Sequence, residues 1–273
     1  MRTGRIQRTT VYVLLTLGSL LALIPLGGVL LMALQTSSNA GVRFAFQDAY
    51  HVENFAAAWE KGGYASSIPL SLAITLGVLI VALPLSVAAA YALTVLRTPW
   101  RAAILVFIVT GIFLPVEAYV VPLFFDLRAL DFDQPVLTVI LVSTAINLAF
   151  GTFWMRSFFL SAPSSLIDAA RIDGAGPVAI LVRVLLPIAR PHIMALAVLM
   201  FIWTWNDLLA PLVMLSSTEL RTAPMSLAFF QAQNTTNYAL LAAAAVITIV
   251  PVIVVYVVMQ RSFVRGILDG SSK

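Results

Sequence analysis

Few side chains in this sequence can do chemistry, and those that can stand in costly places. Glu117 and Asp207 both fall inside apolar stretches long enough to cross a bilayer. A charge at the centre of such a helix costs about 2.5–3.5 kcal/mol on insertion scales, so each carboxylate needs a partner or a wet cavity. Glu117 lies between Pro115 and Pro122, where missing helical hydrogen bonds would leave carbonyls facing a pathway. Trp205, Asn206 and Asp207 are consecutive, with Trp203 two residues earlier. These rings, amide and carboxylate can stack on a solute and hydrogen-bond it. They serve equally as glue between helices, and an acidic residue in a span is also what proton or sodium coupling uses.

Other chemistry is excluded. The chain has no Cys, which rules out disulfides, thiolate metal sites and a thiol nucleophile. The two histidines, His51 and His192, are far apart in sequence, so no metal site and no catalytic set is expected. A phosphate-cradling loop needs G-x-x-x-x-G-K-[ST], yet the only lysines, Lys61 and Lys273, follow Glu60 and Ser272. No cofactor is expected in this chain.

The elements that position these residues follow from composition. Of 273 residues, 61% are hydrophobic and 10% charged, with a mean hydropathy of +0.99. A soluble domain is about 45–50% apolar and about 25% charged, so the solvent here must be lipid. Six stretches reach the ~20 residues that a bilayer requires, at about 11–34, 68–95, 102–125, 135–155, 192–214 and 239–259. The first follows Arg2, Arg5 and Arg8 but is too long for a signal peptide, and reads as a retained helix bent near Pro25, Gly27 and Gly28.

Lys and Arg orient the spans. With the N-terminus inside, the inner segments hold Arg2, Arg5, Arg8, Arg97, Arg101, Arg156, Arg171, Arg183, Arg190, Arg261, Arg265 and Lys273. The outer segments hold only Arg43, Lys61, Arg128 and Arg221. This bias predicts both termini in the cytoplasm. It also explains the net charge of +4 without nucleic acid, because most basic residues flank apolar runs. The outer segment 35–67 reads as a loop with one short helix.

One inner segment, 156–191, is too polar to span. Within it, Ser161 can cap a helix whose first turn holds Pro163. Leu166, Ala169, Ala170 and Asp173 share a face, and Asp168 can pair with Arg171 at i, i+3. Gly174 suits a left-handed helix end, and Pro177 opens a second helix that Pro187 and Pro191 break. By spacing alone, this elbow is equally an amphipathic helix lying at the headgroups.

The run Asp168-Ala169-Ala170-x-x-Asp173-Gly174-Ala175, followed by Leu186-Pro187, resembles the "EAA" loop of bacterial ABC importer permeases, with Asp168 in place of the usual Glu. In that family the loop forms a coupling helix seated in a groove of the ATP-binding subunit. Trp205-Asn206-Asp207 with Pro211, Thr222-Ala223-Pro224, and the carboxy-terminal Gln260-Arg261-x-Phe263-Val264-x-Gly266 look like the sugar-importer branch related to the MalG-type maltose permease. The resemblance is strongest beyond residue 150 and weak in the 35–67 loop.

It implies an all-α, six-helix membrane protein of the type I ABC importer (MetI-like) fold in the bacterial cytoplasmic membrane. The expected division is an N-terminal helix and loop at 1–67, a permease domain at 68–260 containing the coupling loop 161–187, and a cytoplasmic tail at 261–273. The implied partners are a second homologous permease, two ATP-binding subunits holding ATP and Mg, and an extracytoplasmic solute-binding protein. The implied function is non-enzymatic translocation of a carbohydrate or polyol by alternating access. Asp168, Ala169, Ala170, Arg171, Asp173, Gly174, Leu186 and Pro187 would couple to the ATPase. Glu117, Trp205, Asn206 and Asp207 would line the pathway. An ion-coupled secondary transporter using Glu117 or Asp207, and an importer of a non-sugar solute, are the alternatives.

Overall fold

The computed structural model describes residues 5–36, 50–96, 98–233 and 237–271, with side chains over 8–36, 50–96, 98–229 and 237–261. Arg2, Arg43, Asp48, Arg97 and Lys273 lie outside the described residues, as do the side chains of Arg5, Phe263, Val264 and Arg265. Every regular element among the described residues is helical. In order these are α1 (Arg5–Ala33), α2 (Glu53–Lys61), α3 (Tyr64–Thr94), α4 (Arg101–Phe113), α5 (Val116–Ala129) and α6 (Pro135–Ser161). Then follow α7 (Ser164–Ile172), α8 (Pro177–Asn206), α9 (Leu209–Met214), α10 (Ala223–Gln233) and α11 (Tyr238–Ser271). Five are long and apolar enough to cross a bilayer, and α4 with α5 makes a sixth crossing if that bent pair is one span.

Two compact units arise, one from Met1–Ala65 with Ser226–Val250, the other from Ser66–Met225 with Pro251–Lys273. The first unit thus takes in a stretch near the C-terminus. Helix α11 runs on through the expected tail as far as Ser271.

In the first unit, α1 passes unbroken through Pro25, Gly27 and Gly28, and its side chains from Val11 to Ile24 are exposed. Of the carbonyls at its C-terminal end, which a helix cannot satisfy itself, Leu34 O accepts from His51 N–H at 2.9 Å, and two others are met by one amide. Asn54 Nδ2 on α2 donates to Ala33 O at 2.9 Å and to Gln35 O at 2.8 Å. Beside it, His51 Nδ1 lies 2.6 Å from Glu53 Oε1, and that hydrogen bond pulls the Glu53 carboxyl below its usual pKa. The buried Tyr64 ring sends its hydroxyl to Ala244 O (3.1 Å) and Thr248 Oγ1 (3.0 Å).

In the second unit two sequence expectations need correction. The span expected at 102–125 is broken, with α4 and α5 bent by 99°. The cause is Pro115, which disfavours helical backbone at the residue before it. Leu114 and Pro115 are both extended, with ψ of 121° and 127°. The span expected at 192–214 instead runs from Pro177 to Asn206, straight through Pro187 and Pro191. A π-helical stretch, Ile180–Leu185, lies immediately before Pro187. Its wider turn, in which Leu186 N–H reaches Leu181 O, shifts the carbonyl that a proline ring would otherwise strike.

The core of this unit joins Val78 and Ala82 of α3, Met155 and Phe159 of α6, Ile167 and Ala170 of α7, and Leu196 and Met200 of α8. In lipid there is no hydrophobic drive between helices, so close approach through small residues decides packing. Gly151 of α6 is such a point, since a Cβ there would collide with Ser86 Oγ and the Met200 methyl. Replacing it with Leu is expected to cost about 1–3 kcal/mol by overpacking. At Gly111 an added Cβ meets only Ala149 Cβ at 3.7 Å, so Gly111→Ala should stay within about 0.5 kcal/mol. Thermal unfolding of the two detergent-purified variants checks this, and identical melting of Gly151→Leu and the parent would contradict it.

Candidate functional site

Both helix interruptions in the second unit open on one cavity of about 440 Å³. Gly111 and Ile112 of α4, Leu114 at the break, and Val116 and Tyr119 of α5 form one side. Ser143, Asn147 and Phe150, halfway along α6, form another, and Trp203, Asn206 and Asp207 at the end of α8 close it. Non-helical backbone at membrane depth persists only where protein or a water-filled cavity covers it, and both breaks meet that condition here.

Helix α8 stops because Asp207 turns extended, with ψ 121°. Its Oδ1 accepts from Leu209 N at 3.1 Å and Ala210 N at 3.3 Å, so the carboxylate caps the start of α9. Asn206 Nδ2 donates to Ile202 O of its own helix at 2.7 Å. Trp203 meets Phe150 edge to face at 4.7 Å and 79°. It remains 45% exposed. Of the expected pathway residues, then, Asn206 and Asp207 line the cavity. Trp205 does not: it is buried and stacked on Phe201, with ring centroids 5.8 Å apart. Nor does Glu117, which sits exposed in the first turn of α5 while its neighbours Val116 and Tyr119 line the wall.

Sequence reading missed Ser143, Asn147 and Thr204. Asn147 Nδ2 donates to Ser143 O at 2.8 Å and Thr204 Oγ1 at 3.3 Å. A lone amide in the middle of an apolar span carries the same signal as a lone carboxylate, and a search for amides as well as charges would have found it.

The second feature is the elbow. Ser161 ends α6, with its Oγ donating to Phe158 O at 2.8 Å, and Pro163 takes the N-cap position of α7. This corrects the expected Ser161 cap: the proline fixes the extended entrance without a side-chain acceptor. Gly174 adopts φ +80°. Ala175 N–H returns to Ala170 O at 2.9 Å, closing the helix in a Schellman turn. Asp168 and Arg171 pair at 3.2 Å; an exposed pair of this kind contributes about 0.2–1 kcal/mol at most.

The expected shared face is divided. Ala170 turns inward with Ile167, whereas Leu166, Ala169 and Asp173 face out beside Ile172, which is 87% exposed. Leu186 packs at the edge of the core, and Pro187 lies exposed farther along α8. Tyr91, which sequence reading also missed, ties α3 to the elbow by donating to Pro177 O at 2.9 Å.

Among known proteins, residues 81–269 match the family described as "Binding-protein-dependent transport system inner membrane component". The diacetylchitobiose uptake system permease protein NgcG of Streptomyces coelicolor is 30% identical over 95% of this chain and 87% of its own. The sn-glycerol-3-phosphate transport system permease protein UgpE of Shigella flexneri is 32% identical over 80% of each. A bacterial ABC transporter involved in the import of the acidic polysaccharide alginate shares the fold, with a TM-score of 0.64 and 16% identity over 94% of this chain and 95% of that one. By the extent of these matches, this protein belongs to the inner-membrane components of binding-protein-dependent transport systems, the non-catalytic permease subunits of ABC transporters.

Proposed function

We propose that this chain carries a carbohydrate or related polyol inward by alternating access, driven by a separate ATPase. Its partners in this reading are a second homologous permease, two ATP-binding subunits that hold ATP and Mg, and an extracytoplasmic solute-binding protein. The observation that carries the reading is the elbow: a Schellman-closed helix whose inner face is locked into the chain's own core. Its outer face offers Leu166, Ala169 and Ile172 to something else. A rigid knob of this kind transmits displacement, because Tyr91 and the Ile167–Ala170 contact bind it to α3 and the core. The name of the NgcG relative supports a carbohydrate; that of UgpE marks a glycerol phosphate as the rival solute. ATP closing the ATPase dimer would draw the elbows together, and each ligand would shift the equilibrium only by its differential affinity for the two states.

Docking should depend on Ala169 rather than Ala170. Ala169→Arg is expected to abolish ATP-driven uptake and co-purification of the ATPase while membrane insertion persists. Wild-type uptake by that variant would sink the coupling role of this face.

The bias of the basic residues supports a topology with the elbow and both termini in the cytoplasm. The absence of Cys makes the chain its own blank for thiol labelling. A single cysteine at exposed Ile172 should react with a membrane-impermeant maleimide only in opened vesicles, and one at exposed Trp59 should react in intact cells with a permeabilised outer layer. The reverse pattern would invert the topology.

A further inference from the structure

Resting on the importer reading above, we propose that the second, non-identical permease subunit packs on the exposed face of α4 and donates a hydrogen bond to Glu117. Ala103, Val106, Phe107, Thr110 and Phe113 fall on one side of α4 by helical spacing, and all are exposed. Phe107 is 81% exposed and Phe113 80%, and no residue of α4 is buried. Lipid alone could cover the two phenylalanines, because helix and acyl chain are equally apolar. It cannot serve Glu117. That carboxylate is exposed, does not line the cavity beside the break, and makes no hydrogen bond or ion pair among the described residues.

Depth decides what can cover it. Helix α4 has 13 residues and rises about 20 Å from Trp100 and Arg101, residues of the kind that anchor a span at the membrane surface. The hydrocarbon core is about 30 Å thick, so Glu117 lies within it, and tilting α4 keeps it there. The first turn of α5 offsets part of the cost of a carboxylate at that depth. The remainder calls for a donor from outside this chain. Among the partners in the importer reading, the solute-binding protein and the ATP-binding subunits work outside the hydrocarbon, and the second permease shares it. A second copy of this chain fits less well. In a two-fold dimer the same patch meets itself, and this patch holds no free donor, since Thr110 Oγ1 already donates to Val106 O at 2.8 Å. The partner that fits is a spanning helix with small residues opposite Phe107 and Phe113, and a hydroxyl or amide donor opposite Glu117.

The test uses membranes holding the complete transporter. Because the chain has no Cys, Phe107→Cys, Thr110→Cys and Glu117→Cys can each carry a single benzophenone maleimide. Ile80→Cys on α3, 73% exposed, is the lipid-facing control. Illumination should join the second permease to the three test positions and not to residue 80, with the adducts identified by mass spectrometry. Adducts to lipid alone, to a second copy of this chain, or equally from residue 80 would overturn the assignment of this face while leaving the importer reading intact. Purified complexes lacking any second permease would sink that reading as well. Glu117→Leu should weaken association of the second permease in detergent about threefold, the weight of one interhelical hydrogen bond. Glu117→Gln keeps an acceptor and should associate as the parent does. Parent-like association of Glu117→Leu would overturn the role given to the carboxylate.

Discussion

The structure rests on one constraint: in hydrocarbon, every backbone N–H and C=O must find its partner within the protein. Long unbroken helices satisfy it over most of this chain, which is why Pro25, Pro69, Pro84 and Pro251 sit inside helices without ending them. An interruption is therefore informative wherever one occurs. Leu114–Pro115 and Asp207–Leu208 are far apart in sequence, yet both border one cavity in the same unit. The fold has concentrated its exceptions.

The same constraint explains how the polar side chains are spent. Asn54, Asn206 and Asp207 each serve backbone groups at or near a helix end. Two ion pairs, His51–Glu53 and Asp168–Arg171, lie on the first unit's loop and on the elbow, outside the spanning helices. Both pairs lie where water can screen them. Inside the spans, neutral amides and hydroxyls take over the polar contacts, with Asn147 and Thr204 joining α6 to α8.

Much of this was legible in the sequence, because hydropathy and helix punctuation are strong local signals. The all-helical class, the short helix within 35–67, the Asp168–Arg171 pair and the left-handed Gly174 all read directly from residue type and spacing. What did not read was any feature set by packing. Ala169 and Ala170 are identical residues one step apart on a helix, and only the contact of Ile167 with the core decides which of them turns inward. Pro115 breaks a span whereas Pro187, preceded by a π turn, does not. Trp203 and Trp205 alternate in the sequence, yet one lines the cavity and the other stacks on Phe201.

Helix α1 is held at its C-terminal end by Asn54 and by the His51 N–H on Leu34 O, and over its apolar length is almost bare of protein contact. Exchanging acyl chains for another apolar helix carries no hydrophobic gain or penalty in a bilayer; fit alone decides. Such a helix behaves as a tethered arm whose lean is chosen by its neighbours. Its orientation then reports on assembly, so a fluorophore near Leu17 would sense who stands beside this subunit without touching the machinery that moves solute.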